Sequence, residues 1–153
     1  MKKIIVFLLL LLTIFMQPAS AEMFNDLDMK VNEYNENASH VPSLLKNMLG
    51  DEVIHLLIEM NDGSELHIKA VTEKALITTF EEIDSEDYIG ATVKVTLEEN
   101  AVQELLDSGN PVEAFLNAMK NKDINIEPVG LAGTIKFKVA NILLNLSDIL
   151  GLT

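Results

Sequence analysis

The segment Thr92-Val93-Lys94-Val95-Thr96-Leu97 alternates strictly between polar and apolar residues, and at Glu98-Glu99 the period becomes helical. Side chains alternate across a strand and recur about every 3.6 residues around a helix, so a strand runs directly into a helix here. This helix gathers Ala101, Val102, Leu105 and Leu106 on one side and stops at Asp107-Ser108-Gly109. Its two opening acids suit the positive end of the helix dipole. A second helix begins at once, with Asn110 as N-cap, Pro111 in the first helical position and Glu113 completing a capping box. Its apolar face is Val112, Phe115, Leu116 and Met119, and it closes on Lys120 and Lys122. Asp123 to Glu127 reads as extended, and Pro128-Val129-Gly130 as a turn. A long last helix then sets Ile135, Val139, Ile142, Leu143 and Leu146 at helical spacing.

Upstream, Pro42 opens a short helix with Leu44, Leu45, Met48 and Leu49 apolar, and Gly50 closes it. Glu52 to Met60 alternates, with Ile54, Leu56, Ile58 and Met60 on one face and Val53, His55, Leu57 and Glu59 on the other. Leu66, Ile68 and Ala70 resume the apolar face after Asn61-Asp62-Gly63-Ser64, which predicts a hairpin. Cross-strand partners must share a face, so pairing Met60 with Leu66 requires an odd loop of three or five residues. In that register His67 faces Glu59. Thr72-Glu73-Lys74 is the next turn, Leu76, Thr78 and Phe80 mark a third strand, and Glu81 to Gly90 is an acidic connection. Strands and helices are grouped rather than regularly alternating, which predicts an α+β fold.

Residues 97–115 carry a resemblance. They read Leu-Glu-Glu-Asn-Ala-Val-Gln-Glu-Leu-Leu-Asp-Ser-Gly-Asn-Pro-Val-Glu-Ala-Phe. This passage, from an alternating strand through a short acidic helix and a Gly-x-Pro turn to an Ala-Phe pair, resembles the sterol carrier protein type-2 domain family. Gly109, Pro111, Ala114, Phe115, Lys122, Gly130 and the Ile135 to Leu146 ridge fall in matching places. Asn121 stands where the family usually has glycine before the next strand, a substitution that asparagine's tolerance of left-handed geometry permits. Pro128-Val129 lengthens the turn that follows. The resemblance spans Val41 to Leu150. It implies a five-stranded, mostly antiparallel sheet with about four to five helices packed on one face, and an apolar tunnel between the two layers. It further implies a long-chain lipid or other hydrophobic small molecule as ligand. Phe115, Leu116, Met119, Phe137 and Leu144 are the expected lining, with flexible Met119 able to adapt to varied chain shapes.

Met1-Lys2-Lys3, the apolar run Ile4 to Met16 and Pro18-Ala19-Ser20-Ala21 have the form of a secretory signal peptide over residues 1–21. The run is short for a membrane span, so cleavage is expected, with an uncleaved anchor as the other outcome. Residues 22–40 are acidic and rich in asparagine, an expected linker; Phe24, Leu27, Val31 and Tyr34 recur at helical spacing, which reads as a loosely docked helix or frayed leader ahead of a partner-binding amphipathic segment. Residues 41–153 are the expected domain, in a secreted or extracytoplasmic protein with no integral span after cleavage. Loss of Lys2 and Lys3 with the leader takes the formal charge from −13 to −15. Every basic residue is lysine, and no cluster of them forms, which argues against nucleic acid and anionic membrane surfaces. The chain has no cysteine, so no disulfide supports it and a core must.

Catalytic and metal chemistry find little purchase. His40, His55 and His67 are the only histidines, and the last two fall on the polar hairpin face beside carboxylates, where a solvated His67–Glu59 pair is expected. The serines lack a Gly-x-Ser-x-Gly elbow. Asp84, Glu86 and Asp87 lack the glycine and bidentate glutamate of a calcium loop. No phosphate cradle is present. No cofactor, metal or catalytic residue is therefore expected. The last helix is apolar over more than one stripe, which admits three accounts: it is sandwiched in the core, it walls a ligand tunnel, or it meets a partner or membrane. A secreted, non-enzymatic lipid-binding domain is the leading reading. The alternative is a structural or protein-interaction module with a filled core, whose acidic surface meets an extracytoplasmic protein partner.

Overall fold

The computed structural model describes residues 19–40, 50–74, 76–84 and 90–129. Its order is α1 (Ala19–Asn37), a 3-10 turn (Ala38–His40), β1 (Val53–Glu59), β2 (Glu65–Glu73), β3 (Leu76–Ile83), β4 (Val93–Glu98), α2 (Glu99–Asp107), α3 (Pro111–Asn121) and β5 (Ile124–Pro128). The strands form one five-stranded sheet in the order β3-β2-β1-β4-β5. Its pairings are antiparallel except β1 with β4, which run parallel from Ile54↔Val93 to Glu59↔Glu98. The α+β class and the mostly antiparallel sheet agree with expectation. Among the described residues there are three α-helices, fewer than the four to five expected. The helix expected after Pro42 and the one after Gly130 fall outside the described residues.

Period-two alternation explains the layering. Ile58, Leu66, Ile68, Leu97 and Ile124 point to one face of the sheet and join Val102 of α2, Ala118 of α3 and Met23 of α1 in a single core. Ile58, Leu66 and Ile68 are almost wholly inaccessible. At ~25 cal/mol per Å² of apolar area removed from water, burial of such side chains is the main favourable term available without a disulfide.

Several expectations require correction. The first hairpin does have an odd loop, but it closes on Met60 and Ser64, with Met60 N donating to Ser64 O at 2.9 Å. Ile58, not Met60, therefore pairs with Leu66, and His67 pairs with Leu57 rather than facing Glu59. The reason is local. Gly63 adopts φ +83°, its N–H donates to Met60 O, and a three-residue loop with glycine in the left-handed position is complete without Ser64 and Glu65. A shift of two residues leaves every side chain on its expected face.

The third strand departs further. β2 and β3 slip register after Val71, where Val71↔Thr79 gives way to Thr72↔Ile77. Thr78 is the extra residue of this bulge, and its hydroxyl donates to Val71 O at 3.3 Å. Beyond a bulge the parity reverses, so Ile77 shares the inner face with Phe80 while Leu76 is exposed. The C-terminus of α3 also differs: Lys122, not Asn121, takes the left-handed conformation, with φ 69°. The Asn110 cap is as expected, Oδ1 accepting from Glu113 N and Nδ2 donating to Glu113 Oε2.

Residues 22–40, read from composition as a linker, form most of α1, which packs against the core. Met23 is only 5% exposed, and Phe24 stacks on Phe80 with ring centroids 5.4 Å apart. Asn35 then hydrogen-bonds both backbone groups of Ile77: Nδ2 donates to its carbonyl at 2.8 Å and Oδ1 accepts from its amide at 2.9 Å. The amide side chain thus pairs with the edge strand as another peptide would.

Candidate functional site

Parallel pairing at the sheet centre places Leu56 beside Val95 and Ile58 beside Leu97, all turned towards the helices. Over this apolar floor, α2 contributes Val102, Leu105 and Leu106, a set spaced three and four residues apart on one helix side. Phe115 of α3 and Leu27 of α1 close further sides. The result is a partly open, mainly apolar cavity of about 650 Å³. Small-molecule sites commonly occupy roughly 300–1,000 Å³ and are lined in this way, with few polar groups.

The polar lining comes from α1 and from the bend between α2 and α3. Lys30, Glu33, Tyr34 and Asn37 succeed Leu27 along one stripe of α1, and Ser108 stands at the bend. Lys30 Nζ and Glu33 Oε2 are 2.8 Å apart, an ion pair whose side chains are both more than half exposed. Asn37 Nδ2 donates to Glu33 O at 2.8 Å, and Ser108 Oγ accepts from Asn110 N at 3.0 Å. Burial pushes the Tyr34 phenol above its ordinary value, further disfavouring the phenolate.

A hollow of similar size, about 720 Å³, lies on the outer side of α2 and α3, but Gln103, Glu104, Asp107, Asn110 and Glu113 line it and all are exposed. Such a surface is solvated and provides no desolvated wall. The apolar cavity is the better candidate despite its slightly smaller volume.

The expected lining residues are placed as follows. Phe115 is at the cavity wall. Met119, one turn further along α3, is partly buried against the core. Leu116 lies within α3. Phe137 and Leu144 lie outside the described residues. Sequence reasoning did not assign Leu27, Leu56, Ile58, Val95, Leu97, Val102, Leu105 or Leu106 to the site, although the periodicity of each segment was legible. Periodicity marks an apolar face but not which part of that face is left unfilled.

His55 and His67 lie on the opposite face of the sheet, and the expectation of a solvated His67–Glu59 pair is corrected here. His55 is only 1% exposed, its Nε2 is 3.0 Å from His67 Nδ1, and the rings are within 2° of parallel. His67 Nε2 is 3.2 Å from Glu65 Oε2. When His67 donates to this carboxylate, its Nδ1 is free to accept from His55, a consistent tautomer pattern for the chain of contacts. Among the described residues no group of three or more histidines and carboxylates is arranged to hold a metal ion. Nor is any described helix long and apolar enough to cross a membrane.

No protein-family model matches the chain. No curated protein matches it either. Among solved structures, sterol carrier protein 2 from Yarrowia lipolytica in its apo form is 12% identical, with 72% of this chain and 86% of that one covered and a TM-score of 0.46. The sterol carrier protein domain 2 of Helicoverpa armigera is 13% identical, with coverage of 80% and 89% and a TM-score of 0.46. A UbiJ-SCP2 ubiquinone synthesis protein is 11% identical, with coverage of 86% and 98% and the same TM-score of 0.46. The chain is similar to these sterol carrier protein 2 domains over most of its length.

Proposed function

We propose that this protein is a non-enzymatic carrier that shields a long-chain lipid or similar apolar molecule in the cavity between α1, the sheet and the α2–α3 pair. The supporting observation is the cavity itself: about 650 Å³, floored by Leu56, Ile58, Val95 and Leu97 and walled by Leu27, Leu105, Leu106 and Phe115. Burial of apolar ligand surface, at about 0.8 kcal/mol per methylene, supplies the binding energy, and the few polar groups orient one end. The leader-like composition of residues 1–21 supports a secreted or extracytoplasmic setting for this activity.

The test is native mass spectrometry of detergent-free protein, followed by solvent extraction of copurified lipid. A bound acyl or isoprenoid species near one-to-one supports the carrier. Phe115→Asp should retain the far-ultraviolet circular dichroism and weaken binding of an uncharged fluorescent probe by more than about tenfold, because a carboxylate in an apolar wall must be desolvated. Unchanged probe binding by this variant removes the cavity from consideration. An empty protein that ignores such probes directs attention to protein partners of its acidic surface.

A further inference from the structure

The polar lining of the cavity has a charge pattern that bears on which amphiphile it accepts. Of its lining residues, Lys30 is the one cation and Glu33 the one anion among those described. They are three residues apart on α1, and the ammonium already lies 2.8 Å from the carboxylate. The remaining polar lining is uncharged: the Tyr34 hydroxyl, the Asn37 amide and the Ser108 hydroxyl. The Tyr34 phenol, ordinarily neutral at physiological pH, is pushed further from ionisation by burial.

An anionic head group entering here meets Lys30 only by displacing or sharing it with Glu33, whose carboxylate then stands beside the incoming charge. The wider molecule opposes such a ligand too, with a formal net charge of −13. An alcohol, ester or amide head meets no such penalty and can exchange hydrogen bonds with the neutral groups. Resting on the carrier reading above, we infer that the Lys30–Glu33 pair makes the cavity selective for amphiphiles with an uncharged polar head, and against long-chain carboxylates.

The experiment compares ligands of one chain length. Dodecanol and dodecanoate would each displace N-phenyl-1-naphthylamine, an uncharged apolar probe, from the full-length protein at pH 8, where the acid is ionised. Any apolar pocket favours the alcohol somewhat, so the decisive readout is the change in their ratio on substitution. Glu33→Gln releases Lys30 and should strengthen dodecanoate relative to dodecanol by about threefold or more. Lys30→Gln leaves Glu33 alone and should strengthen dodecylammonium relative to dodecanol by a similar factor. Both changes should shrink at high salt, as expected for partly exposed charges. A wild-type preference for dodecanoate, or a ratio unmoved by both substitutions, overturns the selectivity. Failure of the wild-type protein to bind the probe or either ligand overturns the cavity reading and, with it, the selectivity.

Discussion

At the scale of single residues, two polar side chains perform backbone-like tasks. Asp62 accepts from both the amide and the hydroxyl of Ser64, at 2.9 and 2.6 Å, and these bonds hold its carboxyl below the usual range. A depressed folded-state value contributes stability that is present above the unfolded value and is lost as pH falls through the folded one. Nuclear magnetic resonance titration should therefore find Asp62 below the ordinary 3.8, and Ser64→Ala should move it back upwards. Asn35, by contrast, ties α1 to the edge of the sheet through both backbone groups of Ile77. Asn35→Ala should cost about 1–2 kcal/mol in urea unfolding, the scale of losing two partly exposed hydrogen bonds. Neither role was legible in the sequence. Asp62 was only a turn residue there, and Asn35 one polar residue in an acidic stretch, because partners 42 positions apart leave no local pattern.

At the scale of elements, what could be read was whatever local chemistry decides. The switch from strand to helix at Glu98-Glu99, the Asn110 cap and the glycine of the first hairpin all rest on interactions within a few residues. Asn110→Ala should lower stability by about 1 kcal/mol, measured by thermal or chemical unfolding, through loss of the bond to Glu113 N. Gly63→Ala should cost a similar amount, about 1 kcal/mol, although no atom crowds the added methyl group; the penalty lies in holding a Cβ at φ +83°. The Thr78 bulge, in contrast, reversed the expected facing of Leu76 and Ile77. Alternation assumes an unbroken ladder, and one inserted residue invalidates it downstream.

At the scale of the whole molecule, the main revision concerns where folding begins. The acidic composition of residues 22–40 suggests a linker, whereas the stripe Phe24, Leu27, Val31 and Tyr34 at helical spacing marks the helix, and its first two members pack against the core. A chain begun at Val41, the boundary composition implies, lacks Met23, the Phe24–Phe80 stack and the α1 wall of the cavity. It should unfold at a lower temperature than a chain begun at Glu22 and bind an apolar probe at least about tenfold more weakly, since one side of the site is open to water.

The parallel pairing of β1 with β4 also has a consequence for synthesis on the ribosome. β1, β2 and β3 are hairpin neighbours, whereas β4 enters the sheet only after residue 92 has emerged. Until then one side of β1, the mostly apolar segment Val53-Ile54-His55-Leu56-Leu57-Ile58, presents an unpaired row of amides and carbonyls to any strand nearby. A fragment ending near residue 84 therefore has an open edge in the middle of its future sheet, and chains stalled at that length should self-associate in proportion to their concentration.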